Sequence, residues 1–134
     1  MTMTADDVYA AAPFVRTLGV EFVRIAPDGV VGQLTFSPAL STVGGAIHGG
    51  ALMGLADACA AVCASANGAA GALPATSDST THFLAPVIGD ATATATPVNV
   101  GKRRVVVDVA IHDDGGRLCA RVIQTVHLIH PSPG

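Results

Sequence analysis

Gly44-Gly45-Ala46-Ile47-His48-Gly49-Gly50-Ala51-Leu52-Met53-Gly54-Leu55-Ala56-Asp57 joins a glycine-rich turn to an apolar run, and its reading decides the fold. From Gly50 to about Ser65 there is no proline, alanine dominates, and one ionisable residue occurs, so the spacing predicts a helix. At about 100° per residue, Leu52, Leu55, Cys59 and Val62 share one stripe, and Gly50, Gly54, Asp57 and Ala61 share the opposite one. The bulky stripe suits a sheet packed against it. The small stripe lets a ligand or another backbone approach the Asp57 carboxylate.

The helix start carries its own chemistry. Unpaired N–H groups and a partial positive charge gather there. A carbonyl resting on the Gly49 and Gly50 amides is polarised, and an oxyanion formed from it is stabilised. Asp57 lies seven residues beyond Gly50, roughly 10 Å along the axis, too far to attack a carbonyl held at its own helix start. If both groups serve one reaction, the carboxylate comes from a second copy of the chain, in an isologous dimer with antiparallel helices.

His48-Gly49-Gly50, with an acidic residue nine positions after the histidine and Gly45 three before it, resembles the hotdog-fold acyl-CoA thioesterases of the phenylacetate-degradation (PaaI-like) type. The resemblance runs from about Gly19 to Ile129. It implies an α+β hotdog fold, an antiparallel sheet wrapped around one long central helix. It also implies hydrolysis of a small or medium acyl-CoA, aromatic acyl groups included, by a homodimer or a homotetramer built as a dimer of dimers. In that family the helix-start amide polarises the thioester carbonyl, and the neighbouring subunit's acidic residue is nucleophile or general base. Those roles fall on Gly49 or Gly50 and on Asp57, with His48 shaping the turn and assisting at the carbonyl. Many members have Asn or Gln six residues before the histidine; this chain has Thr42, whose hydroxyl lacks an amide's paired donor and acceptor. Thr76 or Ser77, on the strand that also carries His82, is the compensating hydroxyl the resemblance suggests. Lys102, Arg103 and Arg104 are its candidates for the phosphates of coenzyme A. Coenzyme A enters as part of the substrate, and no separate cofactor is implied.

The chain has 134 residues, half of them hydrophobic and 13% charged, with a formal net charge of −3. That length suits one domain, 1–134, with a helical lead-in over 1–16 and a frayed tail over 131–134. So low a charge content suggests apolar surface buried against another subunit. The acidic balance disfavours nucleic acid. Three cysteines without a C-x-x-C pair fit a reducing compartment, and the beginning Met-Thr-Met-Thr-Ala-Asp-Asp has neither the basic nor the apolar part of a secretory signal, so the expected location is the cytoplasm. Asp57 and Asn67 argue against a membrane span across Ala51–Leu73. His127 and His130, three apart on a strand, point to opposite faces, and no metal is expected.

Pattern along the chain predicts a short helix from Ala5 to Arg16 ended by Pro13, and a hairpin of Val20–Ile25 with Val30–Phe36 about Pro27-Asp28-Gly29. After the central helix, stopped by Asn67-Gly68, it predicts strands at Thr76–Ala85, Asp90–Val100, Val105–Ile111 and Leu118–Ile129. Two rivals to the thioesterase reading stand: a dehydratase or hydratase on the same fold, and a non-catalytic acyl-CoA-binding or regulatory hotdog module, which the Thr42 departure keeps open. A structural scaffold, in which Asp57 is dispensable, is a third.

Overall fold

The computed structural model describes residues 3–131, so most of the tail expected to fray lies outside the described residues. Two short helices, α1 (Ala5–Ala11) and α2 (Pro13–Leu18), lead into a hairpin of β1 (Glu21–Ala26) and β2 (Gly29–Leu34). The long helix α3 (Gly49–Ala66) comes next, then β3 (Leu73–Phe83), β4 (Ala91–Val100), β5 (Arg104–His112) and β6 (Leu118–Ile129). The six strands form one antiparallel sheet in the order β1-β2-β4-β5-β6-β3, with α3 across its inner face. This is the hotdog arrangement.

The sheet alternates as strand periodicity requires, so Val105, Val107, Val109 and Ile111 of β5 face α3 and are wholly buried. Beneath the helix the floor is small. Ala91, Ala93 and Ala95 are buried from β4, and Gly32 of β2 pairs with Ala93. These residues explain the Ala/Thr alternation: alanines let the helix axis approach, while Thr92 and Thr94 face the other way. Leu52, Leu55, Cys59 and Val62 of α3 are buried as the helical stripe predicts. The apolarity of α3 is thus spent on the sheet; it has a mean hydropathy of 1.4 over 18 residues, enough in composition for a membrane span, yet it forms the centre of this core.

Pro13 does not end a helix, as its position suggested; it starts one. It occupies the first position of α2, where its missing N–H has no helical acceptor to lose, and it forces Ala12 out of helical dihedrals (φ −133°, ψ 80°). Pro97 sits inside β4 at no cost to the β2 ladder, which stops at Ala95. β3 begins at Leu73, three residues earlier than predicted, and lies at one edge of the sheet, paired on one side only.

Candidate active site

The segment before α3 folds into a small hairpin. Ser41 bridges Ile47, the Thr42 N–H donates to the Ala46 carbonyl at 2.8 Å, and Gly44 and Gly45 turn the chain with φ of 82° each. Positive φ is the conformation glycine adopts without steric cost, which accounts for the Gly-Gly pair. The His48 N–H then donates to the Leu40 carbonyl at 2.7 Å, and His48 becomes the N-cap of α3.

At that cap the two candidate amides part company. The Gly50 N–H donates to Nδ1 of His48 at 2.8 Å, so a neutral His48 carries its proton on Nε2. A Cβ on residue 50 would stand 3.1 Å from that ring nitrogen, so glycine leaves room for the ring to fold back. The Gly49 N–H has no acceptor among the described residues. It is the donor left for a ligand at the positive end of the helix. Gly49 borders a groove of about 440 Å³ whose walls include Thr42, Ile47, Leu52, Phe83 and Val87. A Cβ at Gly49 would meet the Phe83 ring at 3.1 Å, so the absence of a side chain lets the aromatic ring close over the helix start.

Asp57 stands two turns further along, exposed in the single chain. Its Oδ1 accepts from Thr76 Oγ1 at 2.8 Å and from Gln124 Nε2 at 2.7 Å. Gln124 also approaches Thr76 Oγ1 at 3.2 Å, which closes a three-residue network across α3, β3 and β6. No donor reaches Oδ2 from the described residues. The carboxylate is therefore anchored by one oxygen and open at the other.

β3 owes its facing pattern to a bulge. Thr76 opposes Val126 and Asp78 opposes Thr125, leaving Ser77 as the extra residue. Ser77 turns its hydroxyl to the Thr125 carbonyl at 3.3 Å and to the Asp78 carboxylate at 3.4 Å, not to Asp57. The extra residue reverses the alternation beyond it. Thr76 and Phe83 both face α3, and His82, opposite Arg121, faces the outer side of the sheet, away from Asp57 of the same chain. Regular alternation from Thr76 would have pointed His82 inward.

The basic turn also stands apart from the helix start. Arg104 is across from His127, which is across from Ala75, whereas Phe83 marks the Gly49 end of the same strand. Seven ladder steps, Ala120 to His127 on β6, separate those levels, about 23 Å at ~3.3 Å per residue. Lys102, Arg103 and Arg104 are exposed, with their main chain tied to the end of β6 through Leu128 N–H to the Arg103 carbonyl at 2.8 Å. Thr42, by contrast, lies in the groove wall beside Gly49.

Gln124 escaped the sequence reading. Its signal was present: β6 alternates with Ala120, Val122, Val126 and Leu128 inward, and a glutamine on that inward register has to find a polar partner. The three cysteines are free and buried. Burial holds the Cys59 thiol up at about 12, with neighbouring Cys63 adding to it, and burial raises Cys63 to about 11. No cluster of metal-binding side chains forms among the described residues.

A model of the thioesterase superfamily matches residues 44–120, more than half of the chain, from the glycine turn through α3 into β6. The chain belongs to that superfamily. The Mycobacterium tuberculosis protein Rv1847, to which esterase activity is ascribed provisionally, is 31% identical over 113 residues, 81% of either chain. Thioesterase HI1161 of Haemophilus influenzae superposes with a TM-score of 0.87 at 25% identity, covering 97% of this chain and 93% of its own. The PaaI protein of the E. coli phenylacetic acid degradation operon gives 0.83 at 25% identity, with coverage of 93% and 90%. Fold and family together support thioester hydrolysis as the general chemistry.

Proposed function

We propose that the chain is an acyl-CoA thioester hydrolase acting as a homodimer in which each reaction centre draws on both copies. The observation that carries this reading is the division of labour along α3: an unspent Gly49 N–H opens on an apolar groove, and a carboxylate with one free oxygen stands eight residues away, about 12 Å along the axis. One copy cannot bring the two onto one carbonyl. The unpaired outer edge of β3, eleven residues long, favours a second copy pairing there and bringing its own α3 alongside.

In this reading the thioester carbonyl rests on the Gly49 N–H, His48 fixes the first turn of α3 through Gly50, and Thr42 lines the acyl side. Asp57 of the other copy attacks the carbonyl or takes a proton from water. The C–S bond breaks, water supplies the new oxygen, and the products are the carboxylic acid and free thiol. The groove suits a small or medium acyl group, aromatic ones included, because Phe83 and aliphatic walls surround it. Lys102, Arg103 and Arg104 serve the phosphates of the site at the neighbouring copy's helix start. A dimer of such dimers is compatible with the exposed apolar residues of the outer sheet face, Ile123 among them.

Thiol release from a panel of acyl-CoA esters tests the proposal. Wild type is expected to turn over, and Asp57→Asn to lose about 1,000-fold in kcat, the scale of a removed general base. Binding of the esters without release by wild type would sink the hydrolase and leave an acyl-CoA-binding module.

A further inference from the structure

We propose that Gln124 is a positioning residue for the Asp57 carboxylate, holding one oxygen against the sheet so that the other faces the substrate. The inference rests on the hydrolase reading and deepens it.

Gln124 is wholly buried, between Val122 and Val126 on the inner face of β6. Only half of its amide is satisfied. Nε2 donates to Asp57 Oδ1 at 2.7 Å and lies 3.2 Å from Thr76 Oγ1 and 3.5 Å from the Asp57 carbonyl, while Oε1 is buried with no partner among the described residues. Thr81 Oγ1, diagonal to Gln124 across the β3–β6 ladder, is likewise buried and without a partner among the described residues. A buried acceptor left unpaired is unfavourable for the fold. A methionine or leucine of similar volume would fill the same space without that penalty, so packing does not call for an amide there. What the amide supplies is a second donor to Oδ1.

That donor matters because Asp57 is otherwise free to choose its conformation. The residue is exposed on α3, and its own helix offers its side chain no hydrogen bond. Thr76 and Gln124 come from neighbouring strands of one sheet, and they converge on the same oxygen. Two donors from a rigid surface define the plane of the carboxylate and leave Oδ2 as the reacting atom. Preorganisation of this kind acts on the chemical step more than on binding.

Gln124→Met and Gln124→Glu are compared with wild type by thiol release and thermal unfolding. Gln124→Met is expected to keep or raise Tm while kcat falls about 100-fold with KM held within about twofold, the scale of a mispositioned reacting group. Gln124→Glu can still donate to Oδ1 when protonated. It is expected to recover activity towards acidic pH and lose it as pH rises, when the pair carries like charges. A glutamine that served the fold alone would lower Tm and kcat together and leave the pH profile unchanged, which would overturn the inference. A crystal structure of Gln124→Met reads the geometry independently of turnover: the carboxylate is expected to leave Thr76 or to occupy more than one rotamer. An Asp57 unmoved on Thr76 would contradict the assignment. If wild type releases thiol from no thioester, the hydrolase reading fails, and the Asp57 rotamer in Gln124→Met decides the positioning claim.

Discussion

Gly32→Ala is the substitution that tests most sharply how α3 is seated. A Cβ at residue 32 would stand 2.5 Å from Cys59 Sγ and 3.5 Å from Leu55 Cδ1 and Val20 Cγ1. The sulfur would have to withdraw by about 1 Å to reach an ordinary contact distance. It has little room to do so, because Cys59 is wholly buried and the floor opposite is Ala93, the partner of Gly32. With the sulfur so confined, overpacking costs about 2–3 kcal/mol, the upper part of its usual range, offset by roughly 0.5–1 kcal/mol from replacing a strand glycine, which leaves a net of about 1–2.5 kcal/mol. At about 2.1 cal/mol/K of unfolding entropy per residue, 134 residues give about 0.28 kcal/mol/K, so Tm should fall by about 4–9 °C. The assay is thermal unfolding followed by circular dichroism at one protein concentration for all variants, since association between copies makes Tm depend on concentration. Cys59→Ala supplies the control. It leaves a small void that the new methyl of Gly32→Ala fills, so the double variant should be more stable than the sum of the singles by at least about 1 kcal/mol. Cys59 is two residues from Asp57, so the seat being probed is the one that aims the carboxylate. An unchanged Tm for Gly32→Ala, or additivity in the double variant, would refute this packing.

Charge reversal of Lys102 and Arg103 to Glu is expected to raise KM for coenzyme A esters about tenfold while sparing short thioesters that lack the nucleotide, a split that steady-state kinetics on both substrates would read. Equal loss on both would remove these residues from phosphate binding. Buried Cys59 keeps its proton up to about 12, whereas the unfolded thiol ionises near 9, so the stability it contributes is complete below about 9 and is lost as pH rises towards 12. Urea midpoints should therefore fall between pH 8 and pH 10, and fall less in Cys59→Ala; equal declines in the two proteins would contradict the assignment.

The fold was legible because its signals are periodic. A proline-free apolar run marked α3, its bulky stripe named the residues that pack on the sheet, and β6 begins and ends where the pattern said, at Leu118 and Ile129. Asp57 was legible as one charge in an apolar helix. Features that depend on a single residue in three dimensions were not. The bulge at Ser77 breaks no composition rule, yet it sends His82 outward and Phe83 onto Gly49. Pro13 has the same composition signal whether it ends one helix or begins the next, and the neighbouring Ala12 dihedrals decide it. The separation of Gly49 from Gly50 depends on which N–H the His48 ring accepts, and one-dimensional spacing treats the two alike. The distance of Lys102–Arg104 from the helix start follows from strand register, which only the paired sheet reveals.

The shared site has a direct test in mixed oligomers. Gly49→Pro deletes the Gly49 N–H at a first helical position that proline suits behind an extended His48 (φ −59°, ψ 136°). Gly49→Ala, which brings the same Cβ to 3.1 Å from the Phe83 ring but keeps the N–H, is its control. The proline variant should lose about 100- to 1,000-fold in kcat relative to the alanine variant. Asp57→Asn removes the carboxylate. When the two inactive proteins are unfolded together and reassembled, about half of the dimers contain one copy of each, and one of the two sites in such a dimer has both groups intact. Recovery of about a quarter of wild-type activity is the expected result. Reassembled mixtures as inactive as the parents would contradict a site built from two copies.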